Sequence, residues 1–107
     1  LVGDGAHFVP PTGCKGLNLA VGDVRYLWDA LVAHYDGTPE PLFGYSDRAL
    51  ARVWNAMRFS WSFTMTMHRF PGQTGYDQRM QNTEIAYLEQ SQSAQRVLAE
   101  QYVGLPY

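Results

Sequence analysis

Only one cysteine, Cys14, stands in the 107 residues, so no intrachain disulfide forms and the chain is not a disulfide scaffold. A lone thiol suits a reducing compartment, and a cytoplasmic location is expected. No charge predominates: eight basic and ten acidic residues leave a net -2 without any run of like sign. That balance excludes electrostatic binding to nucleic acid or to an anionic membrane surface. There is neither a signal peptide nor an apolar run of spanning length. A nucleotide-phosphate loop is missing as well, because Lys15 is followed by glycine instead of serine or threonine. His7, His34 and His68 lie far apart without paired acids or cysteines, so no metal site is expected and each reads as structural or solvent-facing. The chain also opens without methionine, on Leu1-Val2-Gly3-Asp4, which reads as the tail of a buried strand whose pairing partners lie upstream. A piece of a longer protein is the expectation.

What the chain does have is concentrated in its first eighteen residues. Gly3-Asp4-Gly5-Ala6-His7 is followed by Pro10-Pro11-Thr12-Gly13-Cys14-Lys15-Gly16-Leu17-Asn18, and then by a helical pattern. The proline pair stiffens the loop, while Gly13 and Gly16 allow close backbone approach just before a helix start. A helix start offers unpaired N–H groups and a partial positive charge, so this loop suits an anionic or carbonyl-bearing ligand. Asp4, placed after a strand, is either a turn cap or an acceptor for the hydroxyls of a sugar or polyol. Cys14 has Lys15 beside it and a helix start nearby, but no positioned base, which argues against a catalytic thiol.

Further along, Ala20, Val21, Val24, Leu27, Trp28, Leu31 and Tyr35 fall on one helical face, with Asn18, Gly22, Arg25 and Asp29 on the other. Gly37 supplies a left-handed cap and Pro39 and Pro41 cannot continue the helix, so residues 36–45 are a connector. Ser46 is the expected N-cap of a second helix whose apolar stripe is Leu50, Val53, Trp54, Met57, Trp61 and Met65. Residues 59–67 alternate strictly and taken alone suggest a strand. A helix is preferred, because no turn residue interrupts the pattern and Phe59, Phe63, Met67 and Phe70 form a second stripe. Such a helix needs two packing partners. Pro71-Gly72 ends it. A weaker helix is expected over 76–90, and a last short one from about Ser93 through Leu98, closed by Gly104 and Pro106.

The Gly-Asp-x-Ala-His and Pro-Pro-Thr-Gly-x-Lys-Gly-Leu-Asn-Leu-Ala runs resemble the second flavin-binding motif of the FAD-dependent aromatic hydroxylases. Arg58-Phe59-Ser60-Trp61, His68-Arg69-Phe70-Pro71 and the closing Tyr102-Val103-Gly104-Leu105-Pro106-Tyr107 extend the likeness over the whole chain. They narrow it to the C-terminal segment of members that act on 4-hydroxybenzoate. The resemblance implies a mainly α region with a short N-terminal strand remnant. Residues 1–16 would be the end of an FAD-binding domain, and residues 17–107 a helical interface domain.

By the same resemblance, the cofactor-binding residues are Asp4, Pro11, Gly13, Lys15, Gly16, Leu17 and Asn18. Asp4 would take the ribityl chain, and the Leu17 and Asn18 amides the pyrimidine edge of the flavin. Pro11, Thr12, Cys14 and Tyr102 would lie near the aromatic acid substrate. Pro11 and Tyr102 would be catalytic, Tyr102 as part of a relay that deprotonates the substrate hydroxyl. FAD and NAD(P)H are the implied cofactors, a homodimer through the helical region the implied assembly, and 3,4-dihydroxybenzoate the implied product. Two positions depart from the pattern: Gly5 replaces the usual alanine, and Cys14 a small apolar residue. The segment lacks the Gly-x-Gly-x-x-Gly unit for the ADP half of FAD. It is therefore expected to be inactive and flavin-free without the missing N-terminal part. A helical dimerisation module without chemistry, or a hydroxylase of another phenol, are the competing expectations; the closing hexapeptide argues against the latter.

Overall fold

The structure, a computed structural model, describes residues 1–104; Leu105, Pro106 and Tyr107, half of the closing hexapeptide, lie outside the described residues. A 3-10 turn at Asp4–Ala6 precedes five helices: α1 (Gly16–Tyr35), α2 (Glu40–Phe43), α3 (Tyr45–Met67), α4 (Gly75–Gln90) and α5 (Gln92–Val103). The mainly α reading is correct. The described residues contain no strand, so the expected strand end at Leu1–Asp4 is replaced by irregular chain that leads into the 3-10 turn. A strand requires a ladder partner, and these residues supply none.

The Schellman ending expected at Gly37 is present: its φ is 92°, the Thr38 amide donates to the Ala33 carbonyl at 2.8 Å, and the Gly37 amide to His34 at 3.1 Å. The connector is shorter than expected, because α2 forms within it, entered from Pro39 with a second proline, Pro41, in its first turn. Ser46 does not cap α3. The helix begins two residues earlier, with Gly44 at the cap and no capping side chain. Residues 59–67 are helical, which settles the alternation in favour of the helix. That helix stops at Met67, before Pro71, with His68 already extended at φ −111° and ψ 146°. The Gln81 side-chain amide of α4 lies 3.0, 2.9 and 2.8 Å from the carbonyls of Met65, Thr66 and His68, meeting acceptors the helix end leaves open.

The face of α1 that packs is not the one periodicity selects. Leu19, Gly22, Asp23, Tyr26 and Ala30 are buried against the rest of the molecule. Val21, Val24, Trp28 and Tyr35 of the expected stripe are exposed. On α3, Ala49, Val53, Phe59 and Ser60 are buried, whereas Trp54, Trp61 and Met65 face outward. The second stripe is covered at Phe59, whose ring stacks on Phe63 at 5.5 Å between centroids, but Met67 and Phe70 are exposed. Apolar patterning marks faces that would gain from burial, and these helices carry more such faces than the described chain can cover. The dimensions agree: the radius of gyration is 17.9 Å, against about 13 Å for a compact domain of this length.

Candidate functional site

The Pro-Pro loop owes its shape to one turn. The Cys14 amide donates to the Pro11 carbonyl at 3.0 Å, with Gly13 at φ 88° in the third position, where only glycine sits without strain. A methyl group on Gly13 would lie 2.7 Å from Cε1 of Phe59, a side chain only 2% exposed, so there the loop backbone rests directly on the ring. Cys14 follows at φ 53°, left-handed and without glycine's freedom, and its thiol is exposed. The Thr12 and Thr64 hydroxyls share a hydrogen bond of 2.7 Å, which fixes the loop to α3 from the other side.

Lys15 leaves the loop in the opposite sense. Although 8% exposed, its ammonium lies 5.1 Å from the Phe59 ring centroid and 4.7 Å from that of Tyr102, and it donates to the Tyr102 carbonyl. Burial, and then the positive charge of Arg52, lower its pKa from the ordinary lysine value; Cys14 opposes them in part. The lysine thus couples the Pro-Pro loop to the end of α5. Tyr102 crosses Phe59 edge to face at 5.7 Å and keeps about half its surface exposed.

Asp4, Pro11, Cys14, Lys15 and Gly16 come together around a cavity of about 190 Å³, joined by His7. The Asp4 carboxylate is exposed and lies over the start of α1, with Oδ1 3.6 Å from where a Cβ on Gly16 would stand. No side chain caps that helix, so Gly16 and Leu17 present first-turn amides without a capping partner. Asn18 instead lines a second cavity of about 340 Å³ with Lys15, Tyr26, Arg52, Asn55 and Glu100. Leu17 is exposed, Thr12 and Gly13 are engaged by α3, and Tyr102 meets the loop through Lys15 and Phe59. Among the described residues no group of three His, Cys, Asp or Glu side chains could hold a metal ion, and no helix is long and apolar enough to cross a membrane.

Sequence reasoning passed over Asp23. It is buried on α1 and pairs with His7, Nε2 to Oδ2, at 2.9 Å, with the two side chains 8% and 5% exposed. A carboxylate only accepts, so Nε2 is the donor of this pair, while Nδ1 is buried and without a partner. The signal was an acid set inside the apolar run Leu19-Ala20-Val21-Gly22-Asp23-Val24. His7 therefore is structural, as one expectation had it. His34 packs edge to face on Tyr35, and His68 places Nδ1 3.2 Å from the Thr64 carbonyl.

Asp4 is an acceptor-only group beside the uncapped helix start, and it lines the same cavity as His7. The family described as "FAD binding domain" matches residues 1–60. The chain is similar to p-hydroxybenzoate hydroxylase of Acinetobacter baylyi, with 48% identity along its whole length; it spans 27% of that relative's length.

Proposed function

From a chain that belongs to the FAD binding domain family, we propose that it forms the C-terminal part of a flavoprotein monooxygenase that converts 4-hydroxybenzoate to 3,4-dihydroxybenzoate. The observation that carries this reading is the Asp4 carboxylate at the uncapped start of α1, set within a loop whose residues belong to the matched family. In the overall reaction, 4-hydroxybenzoate, dioxygen, NAD(P)H and a proton give 3,4-dihydroxybenzoate, NAD(P)+ and water.

Asp4 would hold the ribityl hydroxyls, each donating to a carboxylate oxygen. The Leu17 and Asn18 amides would meet the pyrimidine edge, where a helix N-terminus favours negative charge by about 0.3 to 2 kcal/mol according to burial. Bound FAD supplies electron transfer from the nicotinamide and the activation of dioxygen. The Pro11 and Thr12 backbone would face the phenol, with Cys14 beside the ring and Gly13, Lys15 and Gly16 shaping the flavin side of the loop. Tyr102 would pass a proton through its phenolic oxygen, because a phenolate is a stronger nucleophile than a phenol. Residues 1–16 would complete the flavin-binding domain and residues 17–107 the interface.

The exposed Trp54, Trp61, Met65 and Tyr87 favour a second component of the same reading, homodimerisation through the helical region. The test is the full-length protein purified with FAD. It should oxidise NAD(P)H in the presence of 4-hydroxybenzoate and yield 3,4-dihydroxybenzoate by chromatography. Flavin-bound protein that turns over another phenol and leaves 4-hydroxybenzoate unchanged overturns the substrate assignment. Sedimentation that gives a monomer mass at all concentrations overturns the dimer.

A further inference from the structure

Asp4 sits in a turn that has little to hold it. The residues from Gly3 to His7 form one 3-10 turn, closed by the Ala6 amide donating to the Gly3 carbonyl at 2.9 Å, and none of Asp4–Ala6 is buried. The turn starts from Gly3 at φ 83° and ψ −165°, a conformation open in practice only to glycine. Something outside the turn must therefore fix where the Asp4 carboxylate points.

A single side chain reaches both ends. Oδ2 of Asp23 accepts from the Gly3 amide at 3.2 Å and from His7 Nε2 at 2.9 Å, so one buried oxygen ties the residue before Asp4 to the residue that ends its turn. Asp23 belongs to α1 and stands seven residues from Gly16, two helical turns or about 10 Å along the axis and on the same face. The rigid segment between them sets the distance from the staple to the helix start over which Asp4 lies. The neighbouring strut is Tyr45 of α3, whose hydroxyl donates to the Leu1 carbonyl at 3.0 Å. Burial, and then the charge of Asp23, raise its phenol pKa, so it stays protonated and keeps that bond.

We propose that Asp23, acting through Gly3 and His7, is the positioning residue of the cofactor turn: it touches no ligand itself and aims the Asp4 carboxylate at the polyol hydroxyls before α1. The inference rests on the flavin reading of Asp4. It assigns His7 a donor's task at Nε2, which any side chain with an N–H at that reach can perform, and Asp23 the acceptor's task at both ends of the turn.

The experiment is a titration of the full-length apoprotein with FAD, followed by flavin fluorescence, for the wild type and for D23N, H7L, H7Q, D4A and the D4A/D23N double variant. D23N and H7L are expected to raise the FAD dissociation constant by about tenfold or more, the value of a charge-assisted hydrogen bond. H7Q, which retains a donor, should recover most of the affinity. In the D4A background D23N should add no further loss, because it acts only through Asp4. Wild-type affinity in D23N, no recovery in H7Q relative to H7L, or losses that multiply in the double variant overturn the positioning role while the flavin reading stands. A wild-type protein that does not bind FAD overturns that reading and this one with it. If D23N does not fold, the H7L and H7Q pair decides alone.

Discussion

The two ends of the molecule hold their shape by different means. Around the loop, α1 and α3, polar contacts join residues far apart in sequence: Gly3 and His7 with Asp23, Leu1 with Tyr45, Thr12 with Thr64, and Lys15 with Tyr102. Within α4 and α5 the contacts are mostly local, apart from Gln81 at the end of α3 and Tyr102 at Lys15. Thr74 and Asp77 form a reciprocal capping box, Ser91 accepts from the Ala94 amide, and the Gln95 amide reaches the carbonyls of Leu88 and Glu89 that end α4. No residue of α4 or α5 is buried, while α1 and α3 contain every buried core side chain. Local caps suffice to end and orient a helix, but the loop before α1 has to be located against distant elements, and long-range polar bonds and a shared ring do that.

Phe59 is where the comparison breaks most easily, since it meets Gly13, Lys15, Phe63 and Tyr102. Phe59→Ala should destabilise the protein by about 3 to 5 kcal/mol and lower the urea midpoint. Gly13→Ala combines a left-handed backbone with the 2.7 Å approach to that ring. It should cost about 2 to 4 kcal/mol in the same assay. At the other end, Thr74→Ala removes a cap and should cost about 1 kcal/mol while FAD affinity remains unchanged. A loss of affinity there would show that the two ends are coupled. Cys14→Gly relieves left-handed strain at φ 53°. A gain of about 0.5 to 1 kcal/mol is expected from thermal melts.

The smallest effect concerns pH. Hydrogen bonds from the Thr74 hydroxyl and then its amide lower the Asp77 pKa below its ordinary 3.8. A carboxylate lowered on folding stabilises the fold above its unfolded pKa, and the contribution disappears as pH falls through the folded value. Fraying of α4, read by circular dichroism, should therefore increase below pH 3.8 in the wild type. Asp77→Asn should remove that dependence.

The same contrast explains what the sequence discloses. The C-terminal ends of α1 and α5 follow from Gly37 and Gly104, because caps and turns are chemistry over a few positions. The loop's glycine and proline spacing foretells the turn at Gly13, and the motif runs foretell the family. The packed face of α1 does not follow. Its most apolar stripe, with Val21, Val24 and Trp28, is exposed, and the packed face carries Asp23, an acid that periodicity assigns to solvent. Its burial depends on His7, sixteen residues earlier, and on the Gly3 amide, and no local rule brings those groups together. Lys15 is the same case: its burial is offset by two aromatic rings, one of them 87 residues away in sequence along with the carbonyl it meets.

In the proposed reading, residues 3–18 form the part of a flavin site that takes the ribityl chain and the ring edge. Its most direct test is an experimental structure of the full-length protein with FAD. The account predicts ribityl hydroxyls within hydrogen-bond distance of the Asp4 carboxylate and the pyrimidine edge against the Leu17 and Asn18 amides, with Asp23 still bonded to Gly3 and His7. Flavin bound with Asp4 turned to solvent and no contact at the start of α1 would contradict it.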